Sequence, residues 1–198
     1  MLPDLSPYKD VRREFFKQWF DRGLGFQEYL KTGDTNQQQR WGAGAELLEL
    51  TPEQSELLSS FKRKMNVLVL SGIWCGDCAR QGGMWNLIAS TIPDCELRFV
   101  DNKSNPEFQD ELRLNGAEKV PVVVVLSEDF FEVARFGDAH LSVYRRKAVQ
   151  QLGAACDTGL IGPDPDEMNA ELAEWIAFFE RCQLMLRLAP MLRRRHND

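Results

Sequence analysis

The stretch "NVLVLSGIWCGDCARQGG", residues 66–83, decides how the rest of the chain is read. Val67, Leu68, Val69 and Leu70 form an unbroken apolar run, as expected of a strand buried on both faces. Two cysteines, Cys75 and Cys78, follow it three apart, and "ARQGGMWNLIAS" (79–90) then reads as a helix. A cysteine pair at a strand-to-helix junction admits three readings: a redox couple, half of a metal site, or two core residues.

Downstream, "CELRFVD" (95–101) alternates as a second strand, and "SNPEFQDELRLNG" (104–116) reads as a helix with Pro106 at its start and Gly116 at its end. "VPVVVVL" (120–126) is a third strand. "FFEVARFG" (130–137) is a fourth, joined through the short link "SED" and so placed as an antiparallel hairpin partner. The β-α-β-α-β order of residues 65–126 predicts a largely parallel sheet with right-handed crossovers and helices on both faces. Residues 140–153 look helical.

Upstream, "KDVRREFFKQWFDRG" (9–23) carries Val11, Phe15, Phe16, Trp19 and Phe20 at helical spacing, and "FQEYLKTGD" stops on Gly33. "TPEQSELLSSFKRK" (51–64) opens with Thr51 as N-cap, Pro52 at the first helical position and Gln54 three after the cap, a capping-box pattern. Beyond a break at "GLIGPDPD" (159–166) lies a long amphipathic helix with Leu172, Ile176, Phe179, Gln183 and Leu186 along one face, expected to cover the sheet or the N-terminal helices. The predicted organisation is a helical N-terminal extension (1–63), an α/β domain (64–155) and a C-terminal helical extension (156–198).

With 198 residues, 43% hydrophobic and 27% charged, the chain can bury one main core, and no segment approaches the roughly 20 apolar residues of a membrane span. Net charge is −6, and the one dense basic run, "RRRH" (193–196), follows a helical pattern whose C-terminal dipole it complements, so polynucleotide is an unexpected partner. The start "MLPDLSPYKDVRREFF" lacks the basic-then-apolar order of an export signal, which points to the cytoplasm. Thiols stay reduced there, and a C-x-x-C pair is catalytic or metal-binding rather than a permanent staple.

A closed zinc site needs four ligands, and Cys95, Cys156, Cys182, His140 and His196 show no second paired spacing, so no metal is expected. Cys95 opens a strand and Cys182 lies in an apolar helix, both read as buried small hydrophobes; Cys156, in "GAACDTG", is read as a loop thiol. For redox work a cysteine must be a thiolate, and its ordinary pKa lies near 8.5. A helix starting near Cys78 would put Cys75 just ahead of free backbone N–H groups and the positive end of the dipole, with Gly76 easing the turn. Cys78 would then attack the mixed disulfide that Cys75 forms with a substrate.

These elements and residues resemble the thioredoxin family. Trp74-Cys75-Gly76-Asp77-Cys78 is similar to its W-C-G-P-C site, Val120-Pro121 to its cis-proline loop, and Gly137 to a glycine after its hairpin strand. The resemblance spans roughly residues 65–150. It implies a thioredoxin-like mixed sheet flanked by helices and reduction of protein disulfides through Cys75 and Cys78, with no bound cofactor. It also implies contact of the peptide substrate with Trp74, Gly76, Val120 and Pro121, and a thioredoxin reductase as electron donor. Three positions depart from the pattern. Asp77 replaces the family's proline, and its charge should raise the Cys75 pKa relative to a proline version, giving a reducing couple below about −200 mV. Val69 stands where the family has a buried acid, and Gly83 where it has a kink proline. Asp77 either serves as general acid or base for Cys78 or caps the helix.

Overall fold

The computed structural model describes residues 8–152 and 165–197, so Cys156 and residues 159–164 of the expected break lie outside the described residues. Four helices come first: α1 (Arg13–Arg22), α2 (Phe26–Leu30), α3 (Thr35–Glu46) and α4 (Pro52–Ser59). Then follow β1 (Met65–Ser71), α5 (Gly76–Thr91), β2 (Cys95–Asp101), α6 (Pro106–Glu111), β3 (Val122–Leu126) and β4 (Glu132–Gly137). Helices α7 (Leu141–Leu152), α8 (Pro165–Leu188) and α9 (Pro190–His196) end the described chain.

Local chemistry sets several of these boundaries. The Gln54 backbone N–H donates to Thr51 Oγ1 at 3.2 Å while Gln54 Oε1 accepts from the Thr51 N–H at 3.0 Å, closing the box expected for α4. Asp34 and Gln37 do the same for α3, each bond 2.9 Å long. Helix α1 starts only at Arg13, and Val11, expected on its apolar side, lies ahead of it and is exposed. Phe16, Trp19 and Phe20 are buried as their spacing requires.

The sheet order is β2-β1-β3-β4. Only β1 and β2 run parallel; β3 is antiparallel to β1, and β4 to β3. The expectation of a largely parallel sheet is therefore overturned, while the β3–β4 hairpin and the mixed sheet stand. The reason is length. Strand β2 ends at Asp101, and α6 has six residues, about 9 Å of helix at 1.5 Å per residue, against roughly 23 Å for a seven-residue strand. It cannot carry the chain back to the far end of the sheet. Asn115 and Gly116, both with positive φ, turn the segment expected to be helical through Gly116. The chain thus enters β3 at the end where it left β2, and Ser71, Asp101, Val122 and Gly137 lie together at one end of the strands.

Alternation along the strands divides the core. Val67, Val69, Phe99, Val123 and Val125 face one layer, built with α5 and α8 through Met84, Trp85, Ile88, Leu172, Ile176 and Phe179. Leu68, Leu70, Val100, Val122, Val124 and Leu126 face the other, closed by Phe16, Trp19 and Phe20 of α1 and Phe108 of α6. The predicted face of the last long helix, including Gln183, is buried. Gln183 earns its place by accepting from the Arg63 N–H at 2.8 Å and donating to the Arg63 carbonyl at 3.1 Å. In α9 the basic run occupies the last turn, where Arg195 pairs with Asp129 at 2.7 Å and His196 meets Glu128 at 2.8 Å. Among the described residues no helix is long and apolar enough to cross a membrane.

Candidate active site

Cys75 is the N-cap of α5, in extended conformation, and the helix begins at Gly76 rather than near Cys78. Its sulfur therefore sits at the positive end of a 16-residue helix. Gly76 has no positive φ, and a side chain there would meet nothing within 4 Å, so the turn does not require glycine. The flank of the turn at Gly76 is open. Cys78, one turn further in, is fully buried, and the Gly72 N–H donates to its sulfur at 3.5 Å.

Reversal of β3 brings the second part of the site into place. The Val120–Pro121 bond is cis, and the Cys75 thiol points to the Val120 carbonyl at 3.9 Å. Gly137 backs this loop closely: a Cβ there would lie 2.6 Å from the Pro121 carbonyl oxygen and 3.1 Å from the Val122 side chain. The cysteine pair and the proline loop, 45 residues apart in sequence, thus form one surface.

The two thiols are free and electrostatically unequal. A hydrogen bond from the Cys78 side chain, with the backbone N–H groups of Cys78 and Asp77, lowers the Cys75 pKa to about 6 against the opposing effects of burial and the Asp77 charge. Burial pushes Cys78 well above its ordinary value, and its contact with Cys75 adds to this. One thiol is set to be an anion and the other a proton carrier.

Asp77 does oppose the Cys75 thiolate, but the Cys78 hydrogen bond, burial and the backbone N–H groups all weigh more. Its carboxylate is drawn off by Arg80 Nη2 at 3.1 Å and Lys147 Nζ at 3.5 Å. The side chain caps no helix N–H, which corrects the capping alternative: α5 has no side-chain cap, because its N-cap position is taken by Cys75. Arg80 reaches on to the buried Glu171 of α8 at 3.3 Å. Beside it, Gln81 donates to the backbone carbonyls of Asp77 (3.3 Å) and Asp138 (3.2 Å) and accepts from the Trp175 indole at 3.1 Å. Asp138 in turn accepts from the Tyr144 hydroxyl and pairs with Lys119 at 3.2 Å. Helices α7 and α8 are thereby tied to the first turn of α5.

On the opposite flank α3 packs along α5. Trp41 Nε1 donates to the Ile73 carbonyl at 3.0 Å and Arg40 to the Trp74 carbonyl at 3.4 Å, bracing the loop that carries Cys75. Two glycines of α5 make the approach possible. A Cβ on Gly82 would fall 2.1 Å from the Trp41 ring, and one on Gly83 would fall 2.8 Å from Ala45 Cα. Gly83, which stands where the resembling family has proline, is thus where α3 docks.

Trp74 is 43% exposed beside Cys75, with its indole nitrogen against Gly72 and Lys103 4.8 Å above the ring. Trp19, Trp41, Trp85 and Trp175 are buried, as their sequence contexts suggested. Cys182 is buried and Cys95 half-buried, their thiols both pushed up to about 12, chiefly by burial. His140 packs on Phe136 and Trp175 and lies 3.3 Å from Glu174. Sequence reasoning missed Arg40, Arg80, Lys147 and the second use of Trp41. Only Arg80, at i+3 from Asp77, left a local signal.

Residues 23–145 match the profile of the family described as Thioredoxin. The chain belongs to the thioredoxin family. The match begins inside the helical N-terminal segment, so α2, α3 and α4 fall within the family region. Among solved structures, this thioredoxin-family chain is similar to a protein of unknown function from Pseudomonas aeruginosa. That likeness has 22% identity and a TM-score of 0.65 over 83% of this chain and 96% of the other. It is also similar to an HIV epitope-scaffold, with 22% identity and a TM-score of 0.57 over 87% of this chain and 98% of that one. Likeness at this identity concerns the fold alone. A search of curated proteins finds no match.

Proposed function

We propose that this thioredoxin-family protein is a thiol–disulfide oxidoreductase that reduces disulfides of protein substrates. The observation that supports the reading most is the Cys75 thiol: part-buried at the amino end of α5, lowered to about 6, and 3.9 Å from the Val120 carbonyl. At neutral pH it is mostly thiolate, while an ordinary cysteine is mostly thiol.

The Cys75 thiolate attacks one sulfur of the substrate disulfide, whose S–S bond breaks. The departing sulfur leaves as a thiolate and takes a proton from water. Cys78 then gives up its proton to water and attacks Cys75 Sγ, breaking the mixed disulfide and releasing the second substrate sulfur as a thiolate that is protonated by water. The substrate gains two electrons and the Cys75–Cys78 disulfide forms. An external dithiol restores the pair, and by family resemblance that donor is a thioredoxin reductase. No bound cofactor takes part in these steps.

The substrate peptide lies along the Val120-Pro121 loop, where backbone groups of Val120 pair with it, and beside the exposed Trp74 and the open flank of Gly76. Asp77, held off the thiolate by Arg80 and Lys147, exchanges protons with water at the mouth of the site. A reducing compartment, the cytoplasm, suits this direction of exchange. Insulin reduction by dithiothreitol tests the reading. Acceleration by the intact protein that disappears in Cys75→Ser supports it. No acceleration by the intact protein would instead favour a redox-inactive module that holds a partner protein.

A further inference from the structure

Resolution requires a thiolate on Cys78, and Cys78 is fully buried. Removing its proton inside the core is costly unless donors meet the new charge. The position from which an acid could assist from β1 is Val69, buried in the apolar layer. One donor is present, the Gly72 N–H at 3.5 Å. The residue before it, Ser71, ends β1 with its side chain fully buried.

Alternation along β1 turns the Ser71 side chain to the face of Val67 and Val69, the layer that also holds Cys78 and Tyr29, and its hydroxyl acts on both the Cys78 thiol and the Tyr29 hydroxyl, lowering each. Tyr29 comes from α2, is 1% exposed, and has its ring stacked 5.1 Å from Phe99 of β2. Neither Ser71 Oγ nor Tyr29 OH completes a well-aligned hydrogen bond among the described residues. Two buried hydroxyls in an otherwise apolar layer are a stability cost that packing does not explain. They share that layer with the one sulfur that must become charged.

We infer that Ser71 is a catalytic residue of the resolving step, donating a hydrogen bond to the nascent Cys78 thiolate opposite the Gly72 N–H, and that Tyr29 is the positioning residue that orients the Ser71 hydroxyl. This rests on the proposed thiol exchange and assigns the N-terminal helices a part in it. As Cys78 Sγ loses its proton to water, the Ser71 O–H turns toward the sulfur. The Tyr29 hydroxyl then donates to Ser71 Oγ, so the pair delivers one donor to the anion without ionising.

Reaction with the aromatic disulfide dithiobis(nitrobenzoate) separates the steps without a protein substrate. Attack by Cys75 releases the first nitrothiobenzoate. Attack of Cys78 on the resulting mixed disulfide releases the second, and Cys78→Ser supplies the baseline for the remaining thiols. Loss of a hydrogen bond to a charged group should slow the second phase of Ser71→Ala roughly tenfold or more, and that of Tyr29→Phe about threefold. The first phase should stay within about twofold of the parent, as should the second phase of Ser71→Thr, which keeps the hydroxyl. Equal slowing of both phases, or an unchanged second phase in Ser71→Ala and Tyr29→Phe, overturns the inference. A parent protein that releases no second equivalent overturns the proposed function instead.

Discussion

The indole nitrogen of Trp41 donates to the backbone carbonyl of Ile73 at 3.0 Å, so a helix near the start of the chain holds the loop that carries Cys75. Trp41 is fully buried, and its ring lies directly over Gly82 of the helix that Cys75 caps. Trp41→Phe keeps most of the apolar surface and strands the carbonyl. It should cost about 2 kcal/mol, the usual penalty for a buried acceptor left unpaired with some loss of packing. Denaturant unfolding of the reduced protein checks this, and a loss under about 0.5 kcal/mol would deny the bond a structural role.

The glycine beneath that ring sets two effects against each other. Gly82→Ala gains up to about 1 kcal/mol of helix propensity. Its methyl would start 2.1 Å from the Trp41 ring, and overpacking of that severity costs about 1–3 kcal/mol or more. Packing should win, lowering stability by about 1–2 kcal/mol in thermal or denaturant unfolding. A stabilised variant would mean that α3 does not dock as described.

Alkylation of Cys75 by iodoacetamide should titrate with a midpoint near pH 6, and Asp77→Asn should move that midpoint down, since the Asp77 charge opposes the thiolate. Removing a cation that draws off this carboxylate acts the other way: Lys147→Met should raise the midpoint. Quench-flow alkylation over pH 4–9 reads both shifts. A rise in Asp77→Asn would contradict the electrostatics derived above.

Stability follows the same two thiols. The folded pKa of Cys75 is depressed, so its contribution is complete above the unfolded value near 8.5–9 and is lost as pH falls toward about 6. Cys78 is raised in the folded state, so its contribution is present below that unfolded value and declines at higher pH. The stability of the reduced protein minus that of the oxidised one should climb between about pH 6 and 8.5, then fall. Parallel unfolding series on the two forms test this; a difference that is flat or falls with pH through that window defeats the assignment.

A thiolate stabilised near pH 6 also bears on redox poise. Thioredoxin, with a thiol pKa near 7, sits at about −270 mV and DsbA, near 3.5, at about −120 mV; interpolation places this couple at roughly −230 mV. Under the proposed function the couple should act as a reductant, milder than thioredoxin. Equilibration with glutathione buffers measures it, and a value above about −200 mV or below about −270 mV would mean that the Cys75 thiolate does not dominate the couple.

Much of the site was legible in local sequence because local rules position it. The apolar run before Cys75, the Thr51 box, the hairpin after Leu126 and the buried face of α8 each follow from periodicity or capping within a dozen residues. The direction of β3 was not legible, because it depends on where α6 stops. Leu112 to Leu114 carry helical composition, yet the helix stops at Glu111, and Asn115 and Gly116, both with positive φ, then turn the chain. The field around Asp77 was half legible: Arg80 lies three residues on, whereas Lys147 arrives from a helix seventy residues away. The support from Trp41 and Arg40 left no trace, since a carbonyl acceptor has no sequence signature.

The furrow at Gly82 and Gly83 bears on how this protein can be shortened. A version begun at β1, the first strand of the α/β unit, would present an open slot lined by bare helix backbone, with the buried Phe99 stripped of its aromatic neighbours Phe26, Tyr29 and Trp41. Such a fragment would seek other chains to fill the gap, and its reactive loop would wander. A fragment that keeps this packing therefore has to reach back at least to Phe26.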